Sequence, residues 1–444
     1  MPRPDDRERV AADICARLAK AGHRALLAGG CVRDRVLGRP PQDYDIATSA
    51  PADEIPRLFE RTVPVGLAFG VVLVVVDETP YEVATFRRDG RYLDGRRPES
   101  VAPGDERSDA ARRDFTVNAL FMDPVSGEIL DYVDGLSDLR AGVIRTVGDP
   151  GCRFAEDRLR LLRAVRFAAQ LGFRIEEETL SALRRMAPRI HDGVSAERVR
   201  GEVLRMLTGG AAGRALRLLD ETGLLAEILP EVAALRGVEQ PPAFHPEGDV
   251  FTHTALMLDR LPADCPPVLA MAALLHDIGK PATQTFEDRI RFHFHEKEGA
   301  ATAEAVCRRL RMSADETRRI VWLVAQHMRV AALPDMREGR RRLFVAEPDF
   351  ALLLHLAELD CAASHGDMTR VAWTRDYLAG LADGVQPPPC PVTGDDLIRL
   401  GMRPGPLFRE ILDELREGFL EGRYASREEA LARVAERHGG DASR

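Results

Sequence analysis

Apolar residues recur at helical spacing over residues 8–20, and Gly22 ends the run. Short apolar runs follow at Ala25–Ala28, 44–47, Val71–Val76 and 81–86, with lengths that predict strands. Runs at 115–122 and 129–133 flank the turn Pro124-Val125-Ser126-Gly127 and predict a hairpin. From Phe154 onward the spacing turns helical, interrupted at Gly209-Gly210, Gly223 and Pro241-Pro242. The expected class is therefore α+β. An α/β head on a small mixed sheet spans 1–150, followed by an all-helical neck at 151–242, a His-rich helical domain at 243–385 and a helical tail at 386–444. The stretch QPPPCP, 386–391, reads as the linker into the tail.

Composition changes this picture little. The 444 residues suffice for several cores, and 45% hydrophobic with 30% charged residues is ordinary globular composition. No apolar run is long enough to span a bilayer, and the first ten residues, MPRPDDRERV, lack the apolar core of a secretory signal. Seven cysteines without a CxxC pair argue against a disulfide framework or zinc ribbon. A reduced, cytoplasmic protein is expected. The net charge of −9 is not that of a generic nucleic-acid binder. Arginines nevertheless crowd residues 87–113 and 153–174, and such local stripes hold phosphates because screening confines distant charge to about 10 Å.

Candidate chemistry concentrates in LLAGGCVRDRVLGRPPQDYDIATSA, residues 26–50. Asp43 and Asp45 stand two apart on strand-like sequence, so both carboxylates share a face and can cradle two Mg²⁺ ions about 4 Å apart. Gly29 and Gly30 let backbone amides approach a phosphate, Arg33 supplies a cation behind them, and Asp34 orients Arg33 or a sugar. Glu82, on the run 81–86, either reaches the same metals from a neighbouring strand or stands at the rim. Arg112, Arg113, Asp114 and Asn118 place cations, a carboxylate and an amide in one short block suited to phosphate and ribose.

Four stretches, GGCVRDRVLGRPPQDYDIATSA, YEVATFRRDGRYLDGRRPES, ARRDFTVNALFMDP and EDRLRLLRAVRFAAQLGF, resemble in order the motifs of bacterial tRNA nucleotidyltransferases. These are the CCA-adding enzymes, in the class II family that also contains bacterial poly(A) polymerases. The similarity runs from about residue 20 to 435. It implies transfer of CMP and AMP from CTP and ATP to the tRNA 3′ end without a nucleic-acid template, and no membrane partner. It implies that Asp43 and Asp45 hold Mg²⁺, that Gly30, Arg33 and Arg113 contact the nucleotide, and that Asp157 and Arg160 stand in for a template by bonding the base edge. Arg163 and Arg166 would assist with triphosphate and base. Residues 157 and 160 are three apart, so on a helix they share a face, and Asp acceptors beside an Arg fork match the edge common to cytosine and adenine. A plain salt bridge between them is the alternative. The stretch 88–98 resembles the intact flexible loop of enzymes that add the terminal A, which favours complete CCA addition over A-only addition or poly(A) synthesis.

The block after 243 supplies His253, the doublet His276-Asp277, His295, His327 and Asp360. Their order resembles the HD phosphohydrolase superfamily. The resemblance implies a divalent metal (Ni, Mn, Fe or Mg) on His253, His276, Asp277 and Asp360, with His295 and His327 available to a second metal or a substrate phosphate. It also implies hydrolysis of terminal and 2′,3′-cyclic phosphates. A hydrolase whose head only binds nucleotide and a noncatalytic RNA-binding protein are the competing readings.

Overall fold

The computed structural model describes residues 4–66, 70–90, 99–242, 245–286, 289–381, 384–386 and 389–438. The loop expected at 88–98 thus lies mostly outside the described residues, as does part of the expected linker. The chain divides into two compact units. The first comprises residues 1–233 with 261–265 and 309–312, and the second comprises 234–260, 266–308 and 313–444. Among the described residues, no helix is long and apolar enough to cross a membrane.

In the first unit, strands β1 (Ala25–Ala28), β2 (Asp45–Thr48), β3 (Thr62–Gly66), β4 (Val71–Val76), β5 (Thr79–Thr85), β8 (Phe121–Met122) and β9 (Ile129–Leu130) form one sheet. Its order is β3-β4-β5-β2-β1-β8-β9. All pairings are antiparallel except β2 with β5, where Ile46 faces Val83. Short strands β6 (Arg87–Asp89) and β7 (Val101–Pro103) pair separately. Leu26, Ala28, Ala47, Phe86 and Phe121 form the core beneath the sheet. Each large side chain there contributes about 1.5–3 kcal/mol on burial. The helix Pro4–Lys20 packs on β1 and β2, burying Ala11, Ile14, Cys15 and Leu18, one stripe at helical spacing.

The expected strand at 115–122 is broken. Residues Thr116–Asn118 form a 3₁₀ turn, Phe115 makes a lone antiparallel bridge to Thr146, and only Phe121–Met122 join the sheet. Asp114 accepts the Phe115 amide at 2.8 Å, a local bond that competes with extended pairing. Helices Pro150–Glu156, Leu159–Leu171, Glu177–Met186, Ala196–Thr208 and Ala212–Glu221 follow. The all-helical expectation misses β10 (Val143–Ile144) with β11 (Arg174–Ile175), a parallel pair.

The second unit packs helices Val250–Leu258, Pro267–Leu275, His295–Arg309, Ala314–Gln326 and Phe350–Ala363, and carries an unforeseen hairpin, β12 (Gln284–Phe286) with β13 (Ile290–Phe292). Its last helices, Gly394–Arg399, Pro406–Leu420 and Arg427–His438, share a small core of Leu397, Ile411, Leu415, Ala430 and Val434.

Candidate functional sites

The first unit holds a cavity of about 480 Å³ lined by Gly29, Gly30, Asp45, Glu82, Arg113, Asp114, Asn118, Asp157, Arg160 and Arg163 among others. Parallel pairing of β2 with β5 creates its acidic wall: Asp45 and Glu82 each stand one residue before the paired Ile46 and Val83. Asp45 lies at the open face, but enclosure by the walls and the like charges of Glu82 and Asp43 lift its pKa to about 6, against the pull of Arg113. Asp43 precedes the strand and does not line the cavity, so the expected two-on-a-strand geometry holds only for its charge. Among the described residues, groups of three metal-type donors within 4.8 Å of one another occur only in the second unit.

Gly29 turns the chain from β1 into the helix Gly30–Val36 with φ 75°. The positive φ demands glycine, and a Cβ there would sit 2.8 Å from Arg113 Nη1 and displace the guanidinium. Asp109, buried in the helix Glu106–Arg112, positions two cations at once. Its Oδ1 accepts from Arg112 Nε at 2.8 Å, and its Oδ2 accepts from Arg113 Nε and Nη2 at 3.1 and 3.0 Å. Arg33 is buried beneath the wall, not on it, donating to Asn118 Oδ1 at 2.6 Å and Asp34 Oδ1 at 2.8 Å. Burial alone would raise the Asp114 carboxyl, yet Arg163, donating through Nε at 2.7 Å, holds it below the usual range.

The helix Leu159–Leu171 buries Leu161, Leu162, Ala164, Val165 and Ala168 and turns Arg160 and Arg163 to the cavity. Asp157 does not share this helix. It is extended (φ −149°) at the break between two helices, where its Oδ1 accepts the Leu159 amide at 3.1 Å. Nor does it pair with Arg160. Arg198 grips Asp157 with both Nη atoms at 3.1 and 2.8 Å. Arg160 is held instead by Glu156 at 2.5 Å and by the carbonyls of Arg153 and Arg112. Both still line one cavity. Arg166 does not: it is buried against Glu202 at 2.6 Å and over the Phe167 ring at 4.1 Å. Arg198, which carries no motif, was the residue that spacing could not point to.

The second unit holds a cavity of about 530 Å³, lined by His245, Asp277, Lys280, His295, His327 and Asp360 among others. His253, His276 and Asp277 form one group of donors, Asp277, His295 and His327 a second, and His245, Glu247 and His253 a third, while Asp360 Oδ1 lies 3.1 Å from His253 Nε2. His276, His295 and His327 each engage a backbone carbonyl three residues back through Nδ1, at 3.0, 2.8 and 2.7 Å. That bond fixes the ring and leaves Nε2 as the coordinating atom. The Nε2 atoms of His295 and His327 lie 3.2 Å apart and 3.5 and 3.8 Å from Asp277 Oδ1. The buried Nε2 atoms of His253 and His276 have no aligned hydrogen-bond partner, although Asp360 and Asp277 lie 3.1 and 3.2 Å away. Such a donor set fits a divalent cation. Burial and the nearby His276 push His327 down to about 4. Against burial, Asp360 and Glu247 raise His253 to about 9. Lys280, unforeseen here, donates to Asp277 Oδ2 at 2.6 Å and to Gln240. Gly279 is needed for packing, since a Cβ would strike the His295 carbonyl and the Gly299 amide.

Three family models match the chain: the poly A polymerase head domain at 25–145, the probable RNA and SrmB-binding site of polymerase A at 172–235, and the HD domain at 249–349. A CCA-adding enzyme of Anoxybacillus flavithermus is 45% identical over 226 residues, 51% of this chain and 56% of that protein. One from Geobacillus thermodenitrificans is 47% identical over 221 residues, 50% of this chain and 54% of its own. The matched part thus spans little more than half the length of these relatives. The crystal structure of the Bacillus stearothermophilus CCA-adding enzyme in complex with CTP superposes with a TM-score of 0.70 at 28% identity, covering 99% of both chains.

Proposed function

The chain belongs to the tRNA nucleotidyltransferase/poly(A) polymerase family, with an HD domain, and from that premise we propose that it adds CCA to tRNA 3′ ends from CTP and ATP. The observation that carries this reading is the single cavity where Asp45 and Glu82 face Arg113, Asp157, Arg160 and Arg163. The like-charged group of Asp45, Glu82 and Asp43, with Asp45 raised to about 6, has the chemistry of a divalent-cation cradle. Asp43 and Asp45 would hold Mg²⁺, which when bound would supply activation of the tRNA 3′-hydroxyl and charge neutralisation at the pyrophosphate. The residues of the chain do the rest. Arg113 and Arg163, each fixed by a buried carboxylate, receive the triphosphate. Asn118, pinned by Arg33, and Asp114 face the ribose. Asp157 and Arg160, immobilised by separate partners, offer an acceptor and a donor fork to the base edge without neutralising each other.

The test is product length and composition on tRNAs ending before C, CC and CCA, with labelled CTP and ATP. Addition of CCA, CA and A to successively deleted tRNAs is expected. Addition of A alone, or of untemplated A runs, would assign the chain to the A-adding enzymes or the poly(A) polymerases instead.

For the HD domain we propose a metal-dependent phosphohydrolase acting on terminal and 2′,3′-cyclic phosphates. The fit of His253, His276, Asp277 and Asp360 to a cation supports it. Cationic and imidazole groups at the cavity wall, Lys280, Arg289, Arg291 and His365, suit a phosphate.

A further inference from the structure

Glu247 sits between two imidazoles. Its Oε1 lies 2.7 Å from His253 Nδ1 and 2.9 Å from His245 Nδ1, and the two rings meet edge to face with centroids 5.0 Å apart. The other three histidines of this centre lean on backbone carbonyls, whereas His253 leans on a side chain. The segment His245-Pro-Glu247 precedes the helix Val250–Leu258 that carries His253, with Asp249 capping the helix through the Thr252 amide. His245 also lines the 530 Å³ cavity.

We propose that Glu247 is the positioning residue of the HD centre: it fixes His253 with Nε2 toward the metal position and holds His245 as a substrate-facing wall. The inference rests on the reading of this centre as a metal site. A carboxylate that accepts Nδ1–H selects the Nε2-coordinating tautomer and restrains the ring, a contribution worth about 10- to 100-fold in metal affinity. With Nδ1 engaged, His245 keeps Nε2 for a ligand in the cavity. The 2.7 and 2.9 Å contacts are hydrogen-bond lengths that hold both Nδ1 atoms, so His245 meets the cavity through Nε2 alone.

Titration calorimetry of the full chain with Ni²⁺ and with Mn²⁺ tests this. Glu247→Ala should lower affinity about 10- to 100-fold, while Glu247→Gln, whose amide oxygen still accepts from His253, should recover most of it. His245→Ala should leave affinity within about twofold of wild type and raise KM for RNA ending in a 2′,3′-cyclic phosphate. Wild type that binds metal alongside an equally tight Glu247→Ala overturns the role of Glu247. His245→Ala weakened as far as Glu247→Ala makes His245 a ligand and overturns its role as a wall. Wild type that binds neither metal overturns the metal reading itself, and the positioning role falls with it.

Discussion

A methyl group at residue 29 would have to share space with the guanidinium of Arg113 in a backbone conformation that side chains rarely adopt. Gly29→Ala should therefore cost about 1–3 kcal/mol in stability by urea unfolding and displace Arg113, raising KM for CTP and ATP. A variant as stable and active as wild type would remove Gly29 from the account. Arg160 is clamped by Glu156 and two carbonyls, so its fork is pre-set for a base and not recruited by Asp157. Arg160→Ala should raise UTP and GTP incorporation relative to CTP and ATP, by up to about 10⁴-fold where buried polar groups reject a mismatch. Unchanged selectivity in competition assays would reduce Arg160 to a structural ion pair. Spacing alone led to these residues but not to their partners. Asp157 and Arg160 read as one helix face, yet Asp157 caps its own helix break and pairs 41 residues away with Arg198. A long-range bidentate pair leaves no local pattern in sequence.

Elements whose apolar run matched a buried strand were legible, and β1 and β4 fall on the expected residues. The missed ones lack such a run. β3 contains Pro64 and exposes Val63 and Val65 at the sheet edge, and β6 is Arg-Arg-Asp, held by pairing and not by a buried face. His245 and Glu247 follow the Pro241-Pro242 break, which reads as a connection, so no apolar periodicity marks them. In the tail, Asp396 is a device of similar kind: it closes a capping box with Thr393 and joins Arg399 at 2.8 Å and Arg427 at 2.5 Å, tying the first tail helix to the last. The bonds to Arg427 and to Thr393 hold its carboxyl down at about 2. A depressed carboxylate contributes stability above its unfolded value near 3.8, and that stability is lost as pH falls toward 2. Asp396→Asn should melt below wild type at pH 7, and the gap should close between about pH 4 and 2. A gap independent of pH would place the effect in packing instead of charge.

At the scale of the whole molecule, cavities in two compact units pair carboxylates with two kinds of basic group. The first sets carboxylates against arginines. The second sets buried imidazoles against Asp277 and Asp360. His276→Ala should therefore abolish cyclic-phosphate hydrolysis and Ni²⁺ binding while leaving CMP and AMP transfer within about twofold, because on the proposed reading each site would hold its own cation. Loss of transfer in a folded His276→Ala would join the two sites functionally. The most direct test of the central claim, that the Asp45 wall performs nucleotidyl transfer, is single-turnover addition of labelled CTP and ATP to tRNA lacking CCA, comparing wild type with Asp45→Ala. Wild type should complete CCA. The variant should bind tRNA as wild type does and lose transfer of both nucleotides by at least about 10²–10³-fold, the scale set by removing a charge that stabilises the transition state. An Asp45→Ala protein that adds C and A at a rate comparable to wild type would contradict the account.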